Sequence, residues 1–124
     1  MSISLFLAAA LMAQAPETLT VPAPSMPATD VGYHELAAGR PEAAIARIER
    51  SGLARAGDPL ALINLGTAYK MIGRKDDAAR FYRAAASSDD RYDVELANGR
   101  WVDSRRAANI AIARIGTDEM LALK

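Results

Sequence analysis

Residues 59–86 read PLALINLGTAYKMIGRKDDAARFYRAAA, and this stretch decides the fold. Asp58 stands in front of it, an N-cap residue followed by Pro59, the residue suited to the first position of a helix. Leu62, Leu65, Tyr69 and Ile72 then recur at helical spacing and make one apolar stripe. Gly73 ends that helix. A second one reads from Lys75 to about Ser87 and turns Ala78, Phe81, Tyr82 and Ala85 toward the first. The small residues have a steric reason. Gly66 and Ala78 let two antiparallel helices approach closely, and Tyr69 and Tyr82 fill the space around the contact.

The same pattern stands 34 residues upstream. Gly32 corresponds to Gly66, Gly39 to Gly73, Arg40 to Arg74 and Ala44 to Ala78. Glu42 returns as the like-charged Asp76, and Val31 as Leu65. The earlier copy predicts a helix from Thr29 to about Ala38, stopped at Gly39. A second follows from Pro41 to about Ala54, with Ala44, Ile45 and Ile48 on its inner face. The pattern does not return a third time, because Gly99-Arg100 occupies the place of Leu65-Gly66.

Residues 92–104 read YDVELANGRWVDS and point to a β-hairpin. The competing reading is a helix through Asp93–Asn98 capped by Gly99. In the hairpin, Asn98-Gly99 forms a type I′ turn. That register pairs Ala97 with Arg100, Leu96 with Trp101 and Val94 with Asp103, so that Val94, Leu96 and Trp101 share one face. Trp101 then anchors the hairpin on the helices. Its alternative role is an exposed aromatic at a partner or self-association surface. Ser104 caps a last helix from Arg105 to Ile115, with Ala108, Ala111, Ile112 and Ile115 as its stripe. Thr117 caps a short final turn carrying Met120, Leu121 and Leu123.

The first fifteen residues, MSISLFLAAALMAQA, carry no charged side chain. Their apolar run from Ile3 to Ala13 is shorter than the roughly 20 residues that span a bilayer. Ala13-Gln14-Ala15 fits the small-x-small cleavage pattern of a secretory leader. Cleavage after Ala10 is the other option, because Pro16 suits a protease cleft poorly. Residues 16–28, with Pro16, Pro22, Pro24 and Pro27, read as an extended linker. The layout is therefore a leader over 1–15, a linker over 16–28 and one domain over 29–124. That domain divides into 29–58, 59–92, the hairpin 93–103 and a capping helix over 104–124.

Lys+Arg and Asp+Glu both number 15, so no surplus of positive charge favours nucleic acid. Without cysteine there are no disulfides and no thiolate metal sites. His34, the only histidine, has no second ligand or catalytic partner in the pattern. Asp76-Asp77 lies in the first turn of a helix, where the dipole favours negative charge. Asp89-Asp90 belongs to a turn and lacks the alternating oxygens of a calcium loop. Arg100, Arg105, Arg106 and Arg114 read as a solvated face pairing with Asp93 and Asp103. No catalytic residue, cofactor or metal site is expected.

Residues 59–92 resemble a tetratricopeptide repeat at Leu62, Leu65-Gly66, Tyr69, Gly73, Ala78, Tyr82 and Ala85. Residues 29–58 resemble a degenerate, shortened copy, in which Ala28 replaces a large residue and Glu35 a tyrosine. The resemblance implies an all-α protein of two helical hairpins in an α–α superhelix. The small β-hairpin and the C-terminal helix cap its second copy, or a second protein molecule covers that face as a homodimer. It also implies a scaffold that binds a protein or peptide, in the bacterial periplasm if exported. By family position the concave face consists of Tyr33, Ile63, Asn64, Thr67, Lys70 and Met71. Asn64 matches one residue of the clamp that holds a C-terminal carboxylate, but Thr29 and Tyr33 stand where the clamp needs Lys and Asn, so that clamp is incomplete.

Overall fold

The computed structural model describes residues 31–116 and Leu123. The expected leader, linker and Thr29 cap lie outside the described residues, as does the expected final turn after Thr117 except for Leu123, which forms an antiparallel bridge with Leu96 instead. In chain order the elements are α1 (Tyr33–Ala37), α2 (Pro41–Ser51), α3 (Pro59–Met71), α4 (Lys75–Ala86), β1 (Asp93–Glu95), β2 (Trp101–Asp103) and α5 (Ser104–Ala113). The described residues are mainly helical, with one small antiparallel sheet of β1 and β2 among them.

The start of α3 follows from its first residues. Asp58 accepts the Ala61 N–H at 2.9 Å, and Pro59 occupies N1. Residues Ile72 to Arg74 turn the chain into α4, and at the far end Ser88 Oγ donates to the Gly57 carbonyl. The two helices are therefore antiparallel. Midway, Gly66 lies against α4 so closely that a Cβ there would sit 2.7 Å from Tyr82 Cε1 and 3.1 Å from the Ala78 carbonyl oxygen. Glycine at 66 is what permits this separation.

The contact repeats at the sequence period. A Cβ on Gly32 would lie 2.9 Å from Ile48 Cδ1 and 3.6 Å from Ala44 Cβ, and Ile48 and Ala44 stand 34 residues before Tyr82 and Ala78. The turns repeat as well. Gly39 N–H donates to Leu36 O and Arg40 N–H to Glu35 O, as Gly73 N–H does to Lys70 O and Arg74 N–H to Tyr69 O, all at 2.8–3.0 Å. A third correspondence is chemical. Tyr69 stacks on Phe81 with ring centroids 5.3 Å apart. At the matching places Glu35 accepts a hydrogen bond from Arg47 at 3.0 Å. An ion pair thus fills the position of an aromatic stack.

Four expectations need correction. The first helix begins at Tyr33, because Gly32 has φ 78° and a right-handed helix cannot run through it. The second ends at Ser51, where Gly52 turns left-handed, rather than at Ala54. The cap of α5 is Asp103, whose Oδ1 accepts from the Arg105 and Arg106 N–H groups, and the helix already contains Ser104.

The hairpin register is the fourth. Asp93 faces Asp103, Val94 faces Val102 and Glu95 faces Trp101. A type I′ turn needs positive φ at both Asn98 and Gly99, yet only Gly99 has it, at 83°. The Gly99 N–H donates to Leu96 O, and Leu96 N–H donates to Arg100 O. Ala97, Asn98 and Gly99 therefore form a three-residue loop ending in a left-handed glycine. The slip of one residue exchanges the faces of the second strand. Val102 is buried and Trp101 is 65% exposed.

The main core gathers Leu60, Leu62 and Ile63 of α3, Ala78, Tyr82 and Ala85 of α4, Val94, Leu96 and Val102 of the hairpin, Ala107, Ala108 and Ala111 of α5, and Leu123. A second cluster joins Val31, Ile48, Ala61 and Leu65. A third joins Leu36, Ala44 and Ala68. Between them α3 is enclosed on every side from Pro59 to Ala68.

Candidate functional site

The six residues expected on a concave face do not form an open surface. Ile63, Asn64 and Thr67 have no exposed area, and Tyr33, Lys70 and Met71 are partly buried. The physical reason is that other parts of the same chain cover α3. Asn64 is the clearest case. Its Nδ2 donates to Val31 O at 2.9 Å and to Leu123 O at 3.1 Å, and its Oδ1 accepts the Leu123 N–H at 3.0 Å. One carboxamide thereby satisfies both main-chain groups of a residue 59 positions away. On its other side Leu123 forms an antiparallel bridge with Leu96. The leucine side chain itself is fully buried in the main core.

Thr67 and Tyr82 share a hydrogen bond of 2.9 Å between their hydroxyls. Burial raises the pKa of the Tyr82 phenol, and the bond to Thr67 opposes that rise. Lys70 Nζ donates to Arg114 O at 2.9 Å and so holds the end of α5. Met71 lies against the Leu36, Ala44 and Ala68 cluster. The Tyr33 ring meets the His34 ring edge to face at 5.7 Å. Polar residues on this face thus hold main-chain groups of distant segments or brace α4.

Sequence reading missed the enclosure, although a signal was present. Between Pro59 and Tyr69 there is no charged residue, and a helix without a charged face is a central, buried helix.

Two further surface features stand out. Trp101 projects from the outer face of the hairpin, beside Glu95 on the paired strand. A groove of about 240 Å³ runs over Leu65, lined by Ile48, Glu49, Ala54, Arg55 and Phe81. Arg80 lies over the Phe81 ring, 5.0 Å from its centroid.

Asp58, Asp77, Tyr92 and Asp103 are engaged structurally. Asp58 serves α3 with one oxygen and accepts the Tyr92 hydroxyl at 2.7 Å with the other. Burial first, and then the Asp58 carboxylate, push the Tyr92 phenol well above its ordinary range. The carboxyl of Asp103 is held below its usual range, first by the hydrogen bond from Arg91 and then by the capped N–H groups. Asp77 accepts from Arg74 at 2.6 Å and Arg80 at 2.9 Å. Among the described residues no group of three or more His, Asp or Glu side chains is placed to hold a metal ion. No described helix is long and apolar enough to cross a membrane.

Compared with known proteins, the chain matches no family model, no curated protein and no solved structure.

Proposed function

We propose that this protein is a protein-interaction scaffold built on two tetratricopeptide-type helical hairpins. The observation that carries the reading is the doubled close contact. Gly32 on Ala44 and Ile48, and Gly66 on Ala78 and Tyr82, recur at 34 residues together with their turn hydrogen bonds. That period and that helix–turn–helix geometry belong to repeats whose general use is binding other proteins. The partner is a protein or peptide, and the partly exposed residues Tyr33, Lys70 and Met71 mark where the face reaches solvent. The leader expected over residues 1–15 directs the search for that partner to an envelope assembly in the periplasm.

Site-specific photo-crosslinking tests this. A photoreactive residue at Met71 is expected to capture one discrete protein in intact envelopes, and the same residue at Arg50, on the exposed side of α2, is not. Equal or absent capture at both positions would overturn the scaffold reading. A second reading, a homo-oligomer packed through the hairpin and α5, draws on the exposed Trp101. Sedimentation that finds a concentration-independent monomer excludes it.

A further inference from the structure

Leu123 is held in the manner of a bound peptide. Its N–H and C=O are both read by the Asn64 carboxamide, at 3.0 and 3.1 Å. Its backbone adds to the outer edge of the hairpin through the bridge to Leu96. Its side chain enters an apolar site shared with Ile63 and Leu96. Main-chain recognition combined with one apolar side-chain site is how proteins capture extended strands. Asn64 and Ile63 are also two of the six residues expected on the partner face.

We propose that Leu123 is an intramolecular pseudoligand, and that the slot between Asn64 and Leu96 accepts an extended apolar segment of another protein when Leu123 leaves it. The inference rests on the scaffold reading and specifies both its ligand and its regulation. The ligand class follows from the contacts. The Asn64 carboxamide accepts any non-proline residue in extended conformation, because it contacts main-chain atoms only. The enclosed site around Leu123 requires an aliphatic side chain and excludes a charged one. Partner affinity is then reduced in proportion to the small fraction of molecules in which the slot is open.

The test uses the full chain. Native-state hydrogen exchange should show the Leu123 amide exchanging by local opening, at least about 10-fold faster than the central amides of α3 and α4. A fluorescein-labelled peptide TDEMLALK, the sequence of residues 117–124, should bind the Leu123→Asp protein at least about 10-fold more tightly than the unaltered protein. The same peptide with aspartate in place of its second leucine should bind neither. Exchange of the Leu123 amide only with global unfolding overturns the proposal. So does a folded Leu123→Asp protein with no gain in peptide affinity. If that variant does not fold, the exchange measurement on the unaltered protein decides alone. A dimer whose copies trade this segment, seen by sedimentation with crosslinks from Leu123 to Asn64 of a second copy, also overturns it. Locked exchange alongside discrete capture at Met71 rejects the pseudoligand and leaves the scaffold standing. Capture failing while the peptide still binds does the reverse.

Discussion

Replacing Gly66 with alanine should destabilise this protein, although alanine is the better helix former. Two effects compete. Within a helix the exchange gains about 1 kcal/mol from backbone entropy. Against it, the new methyl would stand 2.7 and 2.8 Å from the Tyr82 ring carbons and 3.1 Å from the Ala78 carbonyl. The ring has nowhere to go, since Tyr82 is 1% exposed and its hydroxyl is tied to Thr67 at 2.9 Å. Overpacking of this kind costs about 1–3 kcal/mol, and breaking the hydroxyl bond adds about 0.5–1.5 kcal/mol. The net loss is about 1–3 kcal/mol, or a fall in Tm on the order of 5–20 °C for a domain of this size. Urea and thermal unfolding followed by far-UV circular dichroism measure it. The decisive arm is the Tyr82→Leu background, where the ring contacts are gone and only the 3.1 Å approach to the Ala78 carbonyl oxygen remains. There the alanine should be neutral or stabilising, which gives a coupling energy of about 1–3 kcal/mol. A Gly66→Ala protein as stable as the original, or an equal loss in both backgrounds, would refute the close-contact explanation.

The remaining expectations concern the hairpin and two ionisable groups. Trp101→Ala should change stability by less than about 0.5 kcal/mol, whereas Val102→Ala, at a buried position, should cost about 1–2 kcal/mol for its lost methyls; the reverse order in chemical denaturation would restore the type I′ register. The Glu35 carboxyl is held below its ordinary pKa. Burial, the largest influence, acts to raise it, but its backbone hydrogen bond and Arg47 outweigh that. Its contribution is therefore present above the unfolded-state pKa and is lost as pH falls through the folded one, so stability measured from neutral to acid pH should decline less steeply in Glu35→Gln. Tyr92, whose pKa is raised, contributes stability below the ordinary phenol range that is lost as pH rises beyond it. In an ultraviolet titration the Tyr82 and Tyr92 phenols should both resist ionisation beyond the ordinary phenol range, and Asp58→Asn should lower the pKa of Tyr92 without moving that of Tyr82.

Much of the helical arrangement was legible because it depends on local sterics. Gly66, Ala78 and Tyr82 announce a close crossing by their sizes and spacing, and Asp58-Pro59 announces the start of α3 without reference to anything distant. The hairpin shows where such reading ends. Asn98-Gly99 suits either a two-residue loop or a three-residue loop closed by Gly99. Which one forms depends on Val94, Leu96 and Val102 burying together against α5, a tertiary condition. Asn64 illustrates the same limit for the candidate site. An asparagine on a helix reads as solvent-facing until a covering segment is known, and here that segment arrives 59 residues later. Glu35 stands one period before Tyr69 and carries a carboxylate where the later copy has a ring. That Arg47 would answer it could have been inferred by moving Phe81 back one period.

The exposed indole has a practical consequence. The chain contains one tryptophan, and in the native state its ring already faces water. Unfolding should shift its emission little, so fluorescence is a poor monitor of denaturation here. For the same reason any blue shift in native protein reports something settling over the hairpin, which makes Trp101 a built-in optical sensor of association.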